Sequence, residues 1–311
     1  MPRKAACLAV AAMLQCLGPA SLGQPAIAAP ASDAAAYIAR QGWTPFDSKV
    51  RPRMPAGDLA PLMYYRQGSA VPSCALLARR AGGLDFFEIL AAEPGEDYPH
   101  CSAIHDGASF PFAGKSYLVV PYTSRDTRDE SYTAFFYLST GKDGRHAVEN
   151  ALNDAVAPGL GRLAASDGIR GAKADLIRRS EPALQLLERD FIADGGKAFA
   201  ILKDKAGHRC TFVVETKGDL ARYGSELFGG GRCRGVLASG RFDTPAATYF
   251  LGLFRADGPA TKLALFAVPK SGGAAQAEPG LAAEALRAGR TGDIRTAKAF
   301  LRRATASHSP Q

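Results

Sequence analysis

The chain has 311 residues, 38 Lys and Arg against 30 Asp and Glu for a net charge of +8, and 47% hydrophobic residues, enough for a sizeable core. The charge excess is modest for the length and favours loose association with anionic partners without choosing among them. It lacks the clustered basic stripe with interleaved aromatics that nucleic-acid binders carry, so nucleic acid is set aside.

At the N-terminus Arg3 and Lys4 precede an apolar run from Ala5 to Leu17 and then the small-residue stretch Pro25–Ala29. That order is the pattern of a secretory signal peptide, here residues 1–28. Gln15 and Gly18-Pro19 interrupt the run, which falls short of the roughly 20 residues a membrane-spanning helix requires. Cys16 follows Met13-Leu14-Gln15, a bulky context that speaks against a lipidation site. Later apolar runs are cut by charge within about 10 residues, so no transmembrane segment is expected. Removing residues 1–28 takes away Arg3 and Lys4 and no acidic residue, so the net charge falls from +8 to +6. The reading is an exported protein, periplasmic or secreted.

Four cysteines remain after that cleavage, Cys74, Cys101, Cys210 and Cys233, an even number suited to an oxidising compartment. The first two are 27 positions apart and the last two 23, with more than 100 between the pairs. This spacing predicts disulfides Cys74–Cys101 and Cys210–Cys233, each stabilising by about 3 to 4 kcal/mol on the chain-entropy account. A zinc site would ask for close Cys-x-x-Cys pairs, which are absent, and neither a metal nor a cofactor is expected.

Taken along the chain, the elements suggest a repeat. Ala34–Arg40 reads as a short helix capped by Ser32 or Asp33. Leu62–Ala70 and Phe199–Gly207 each read as an apolar strand and polar turn, followed by a cysteine-bearing strand, Cys74–Ala78 and Cys210–Val214. Each half then offers an aromatic strand closed by an Asp-Gly turn: Tyr132–Leu138 before Asp143-Gly144, and Thr248–Phe254 before Asp257-Gly258. The first half carries an insertion, Phe112–Ser131, with an extra strand at Ser116–Val120. Helical patterns are read at Val148–Val156, at Ala172–Ile192 despite Pro182, and, beyond a Gly-rich linker at 269–275, at Leu281–Leu286 and Gly292–Ala304. In the last of these Ile294, Ala297, Leu301 and Ala304 share one face, opposite Arg295, Lys298 and Arg302.

The expected fold class is therefore α+β: two similar disulfide-linked antiparallel β domains, an internal duplication, with a helical connector and a C-terminal helix. The domain boundaries read as 29–157, 158–195, 196–270 and 271–311.

Chemistry is sparse. His100 and His105 flank Cys101 in the one crowding of catalytic residue types, but His-x4-His is not a helical metal pair and no Gly-x-Ser-x-Gly elbow occurs. Gly114-Lys115-Ser116 resembles the end of a phosphate-binding loop, yet Ser109 stands where its first glycine belongs. Gly229–Gly231 suits a turn serving the second disulfide. The charged loop 122–131, with Arg125, Asp126, Arg128 and Asp129, mixes both signs between aromatic strands, as a recognition loop does. These features favour a binding protein over an enzyme: an exported protein that neutralises another protein, as an inhibitor or an immunity factor for a toxin would. The alternatives are an exported hydrolase with a site near His100 and His105, and an envelope-associated scaffold touching an anionic surface through the C-terminal helix.

Overall fold

A computed structural model describes residues 30–47, 52–55, 57–80, 82–128, 130–153, 168–194, 197–204, 206, 209–216, 218–229, 232–257 and 260–307. The signal segment 1–28 lies outside the described residues, as do Asp129, Val156, His208, Gly230, Gly231 and Gly258.

The chain is mostly β, laid out as four antiparallel sheets in chain order. Sheet A comprises β1 (Thr44–Pro45), β2 (Leu59–Tyr65), β3 (Ser73–Arg80) and β4 (Gly83–Leu90). In sheet B, β5 (His100–Ile104) and β6 (Ala108–Phe112) both pair with β7 (Lys115–Arg125), which is followed by β8 (Ser131–Thr140) and β9 (His146–Val148). Sheet C is β10 (Leu184–Asp194), β11 (Lys197–Asp204), β12 (Cys210–Thr216) and β13 (Asp219–Gly224). Sheet D is β14 (Gly235–Asp243), β15 (Ala247–Arg255), β16 (Thr261–Pro269) and β17 (Gln276–Ala277). Among the described residues five α-helices accompany them: α1 (Pro30–Arg40), α2 (Asn150–Asn153), α3 (Gly168–Ser180), α4 (Pro279–Arg287) and α5 (Ile294–Ser307).

Successive sheets stack, and this explains the sequence pattern of their inner strands. β3 is buried at its first six positions, and Leu118, Val119 and Val120 of β7 are all fully buried. A strand covered on both faces has no solvent side to encode, so it reads as a continuous apolar run rather than an alternation. Leu118 and Val120 face sheet A with Leu76 and Cys74, whereas Tyr117 and Val119 face the other way. In β11, Ala198, Ala200 and Leu202 turn toward sheet B, and Phe199 and Ile201 toward sheet D. Helix α1 covers the outer face of sheet A through Ala34 and Ile38, while α4 and α5 cover sheet D through Ala282, Ala285, Ala297 and Leu301.

Helix α3 is wedged between sheets B and C, with every residue from Gly171 to Ile177 buried. The apolar pattern alone extends this helix to Ile192. The helix ends at Ser180, because Pro182 cannot continue the hydrogen-bond ladder, and Leu184–Asp194 becomes the first strand of sheet C. Val148 likewise lies in β9 rather than in a helix, and α2 spans only Asn150–Asn153. Helix α1 begins at Pro30, which places Asp33 inside the first turn, where its carboxylate pairs with Arg79 rather than capping.

Both disulfides form as spaced, with Cα separations of 5.8 Å for Cys74–Cys101 and 5.4 Å for Cys210–Cys233. Their positions correspond. Cys74 and Cys210 each sit on the third strand of a sheet, while Cys101 lies on, and Cys233 just before, the first strand of the next. The C-terminal helix packs back on the fold with Ala297 and Leu301 fully buried, leaving its basic side outward. No described helix is long and apolar enough to cross a membrane.

Candidate functional site

The charged loop joins two long central strands. β7 and β8 pair without interruption from Tyr117–Ser139 to Arg125–Ser131, so the loop at their end is held on a rigid base. Asp126 organises it: one carboxylate oxygen accepts the backbone N–H groups of Arg128 (2.9 Å) and Glu130 (3.0 Å). Its other oxygen meets the Arg128 guanidinium at 3.0 Å, and Glu130 reaches the same guanidinium at 3.2 Å. Desolvation works against ionisation of Asp126, but the bonds from Arg128 and Glu130 together outweigh it and hold the carboxyl below the usual range. This is an Asx turn in which the side chain replaces ladder hydrogen bonds. The Arg128 side chain is nonetheless 72% exposed. Tyr132, at the start of β8, is one of the few exposed large hydrophobic residues. Behind it Tyr122 is half-buried, and desolvation pushes its phenol up to about 12. Arg125 lies across from His100 in the β5–β7 register. Of the loop residues singled out from sequence, Arg125, Asp126 and Arg128 come together at this tip.

The two histidines do not converge. Five strand steps separate them, on the order of 15 Å. His100 donates through Nδ1 to the Asp97 carbonyl at 2.9 Å, and His105 Nε2 is hydrogen-bonded to Thr123 Oγ1 at 2.7 Å. Burial holds His105 below the ordinary histidine value despite the nearby Asp106. Cys101 between them is consumed by its disulfide. Gly114-Lys115-Ser116 opens β7: Ala113 (φ 48°) and Gly114 (φ 77°) form the two-residue turn of the β6–β7 hairpin, a left-handed pair that fits the strand twist. Among the described residues no group of three or more His, Cys, Asp or Glu side chains is placed to hold a metal ion.

A second polar feature went unnoticed in the sequence. Lys173 and Asp175 stand two positions apart on the buried helix α3, about 200° around its axis, and so point to opposite neighbours. The Lys173 ammonium donates to Glu215 of sheet C at 2.6 Å and lies 5.6 Å from the centre of the Phe110 ring. Glu215 also accepts the Gly218 N–H at 3.2 Å. Burial raises the Glu215 carboxyl, and the Lys173 bond opposes that rise. Asp175 instead accepts the Tyr137 hydroxyl of sheet B at 2.9 Å and Arg179 at 2.7 Å. Burial, then the Asp175 charge, drives the Tyr137 phenol well above its ordinary value. One helix thus ties the first pair of sheets to the second by a polar bond on each side. The available signal was two opposite charges inside the otherwise apolar run Ala172–Ile177.

No family model and no curated protein matches the chain. Among solved structures, an α-L-arabinofuranosidase from Lactobacillus brevis aligns over 76% of this chain and 71% of its own, at 6% identity and a TM-score of 0.24. A thermostable family-43 glycoside hydrolase covers the same shares at 10% identity and 0.22. An endo-arabinase from Bacteroides thetaiotaomicron VPI-5482 covers 76% and 83% at 9% identity and 0.21. Scores this low transfer neither fold nor activity to this chain.

Proposed function

We propose that the chain is an exported, periplasmic or secreted protein that binds and neutralises another protein, as an inhibitor or an immunity factor would. Its contact surface is the β7–β8 tip. The observation that carries this reading is a loop fixed by its own Asp126 cap that still presents the Arg128 guanidinium to solvent beside an exposed Tyr132. Arg and Tyr are the residue types that dominate binding energy at interfaces, and a loop ordered before contact loses little entropy on docking. The matching disulfide positions further support an ancestral duplication, with modules 29–157 and 196–270, the second extended by β10. The hydrolase alternative gains no support from the separated histidines. The scaffold alternative, contact with an anionic surface through the basic C-terminal helix, would have to use the charged side of α5 alone, because its apolar side is buried.

The test is affinity capture of the mature protein from its own exported compartment, with Arg125→Glu/Arg128→Glu as the control. One stoichiometric partner lost in the double variant supports the proposal. Absence of any partner, or capture indifferent to the loop, overturns it.

A further inference from the structure

One end of sheet C holds an open cavity of about 510 Å³ that the β7–β8 tip does not use. Arg209 and Thr211 line it from the β12 side, and Arg222, Tyr223, Gly224 and Glu226 from the β13 side. Small-ligand sites span about 300 to 1,000 Å³, so the space suits a small molecule with some of its water.

Strand register explains why these residues gather. In the β12–β13 pairing Thr211 stands opposite Gly224, and Val213 opposite Arg222. Opposite residues, and alternate residues along one strand, project from the same face, and Val213 packs in the core between sheets B and C. Thr211, Arg222 and the bare Cα of Gly224 therefore share the face that looks toward sheet B. Glu226 folds back over Gly224: a methyl group there would displace its carboxylate, so glycine is what lets the acid lie against the cavity. Tyr223 points to the other face, where its hydroxyl donates to the Ala275 carbonyl at 2.7 Å.

The charges divide unevenly. Arg222 is already spent on the Glu181 carboxylate. Among the described residues Arg209 and Glu226 enter no ion pair, with each other or with any third group, and the Thr211 hydroxyl has no hydrogen-bond partner. Both charged residues are exposed. One cation and one anion held apart on the same cavity match a ligand that carries both signs, rather than a simple anion or cation.

We propose that this cavity binds a small zwitterion of the α-amino-acid class. Arg209 and the Thr211 hydroxyl donate to its carboxylate, and Glu226 accepts from its ammonium. Arg222, neutralised by Glu181, lines the site without adding net charge.

Calorimetric titration of the mature protein with each proteinogenic L-amino acid tests this. Saturable binding of one molecule per chain is expected for at least one of them. Its N-acetyl and carboxamide derivatives each lack one of the two charges and should bind about tenfold more weakly, the scale of a lost charge-assisted bond. Glu226→Gln and Arg209→Gln should each weaken the amino acid by a similar factor. In Glu226→Gln the preference over the N-acetyl form should also disappear, which a merely structural role for Glu226 would not produce. Arg303→Gln, on helix α5 outside the cavity, should leave the affinity within about twofold. Failure of every amino acid to bind, binding retained by either derivative, or an equal loss in Arg303→Gln overturns the site.

Discussion

The two halves of the molecule repeat one covalent device in different surroundings. In each, a disulfide ties the third strand of one sheet to the start of the next. Between sheets C and D it sits in a large aromatic core, where Phe199, Phe212, Phe250, Phe254 and Phe266 stack or cross at 5.4 to 6.5 Å. Between sheets A and B the neighbours are mainly aliphatic, such as Leu59, Met63, Leu76, Leu118 and Val120. The covalent link is the constant and the packing is the variable, so the halves should lean on their disulfides to different degrees. What joins the halves, among the described residues, is the apolar core between sheets B and C, a backbone hydrogen bond from the Gly114 N–H to the Gly218 carbonyl, and a buried helix with one polar bond to each side.

The helix contact should give the largest single effect. Lys173→Met leaves Glu215 buried without its cation and is expected to cost about 3 to 5 kcal/mol in urea unfolding. Pairing it with Glu215→Leu should recover most of that loss, because two apolar side chains carry no stranded charge. If the double variant were as unstable as the single, the ion pair would not be what sets the cost.

Next come the disulfides. Removing either pair by Cys→Ala should cost about 2 to 5 kcal/mol. Loops closed over 27 and 23 residues differ by only about 0.1 kcal/mol in closure entropy, so a larger difference reports packing. Cys74→Ala/Cys101→Ala is expected to be the more damaging. Equal losses would remove the distinction drawn between the halves.

A smaller effect lies in the bulge of β10, where the five steps from Leu186 to Phe191 span two steps of β11, from Leu202 to Ala200. Asp190 is buried there with one carboxylate oxygen lacking a hydrogen-bond partner among the described residues. Burial raises its carboxyl in spite of Arg189 and Lys203. The native state therefore holds this proton more tightly than the unfolded chain. Its contribution is complete below the unfolded value near pH 4 and is lost as pH rises through the folded value. Asp190→Asn should abolish that loss and be more stable at pH 7 by about 1 kcal/mol, with the difference vanishing in acid. The smallest effect belongs to the loop: Arg125→Glu/Arg128→Glu should leave stability within about 1 kcal/mol, which keeps its binding phenotype interpretable.

The sequence was most informative where a physical constraint is local. Cysteine spacing gave both disulfides, and the 3.6-residue pattern of Ile294, Ala297, Leu301 and Ala304 gave the buried face of α5. Strands β3, β7, β12 and β15 were visible as apolar runs, but the stacking of four sheets was not, since burial on both faces erases the alternation that would assign a side. At β10 the apolar residues Leu184, Leu186, Leu187 and Phe191 fit a helix as well as a strand, and tertiary pairing with β11 decided. The loop residues Arg125, Asp126 and Arg128 were found because charge and position are local; the cap that fixes them was not. Lys298 comes to lie on Gly240 only through the packing of α5 on β14, a contact between segments more than 50 positions apart.

Native-state hydrogen exchange of helix α3 tests the central claim, that this buried helix locks the two halves into one cooperative structure. The account predicts that the amides of Ala174–Ile177 exchange only by global unfolding, at the full unfolding free energy, and that Lys173→Met lowers their protection and that of sheets B and C together. Exchange of α3 through a low-energy local opening, with the sheets still protected on both sides, would contradict it.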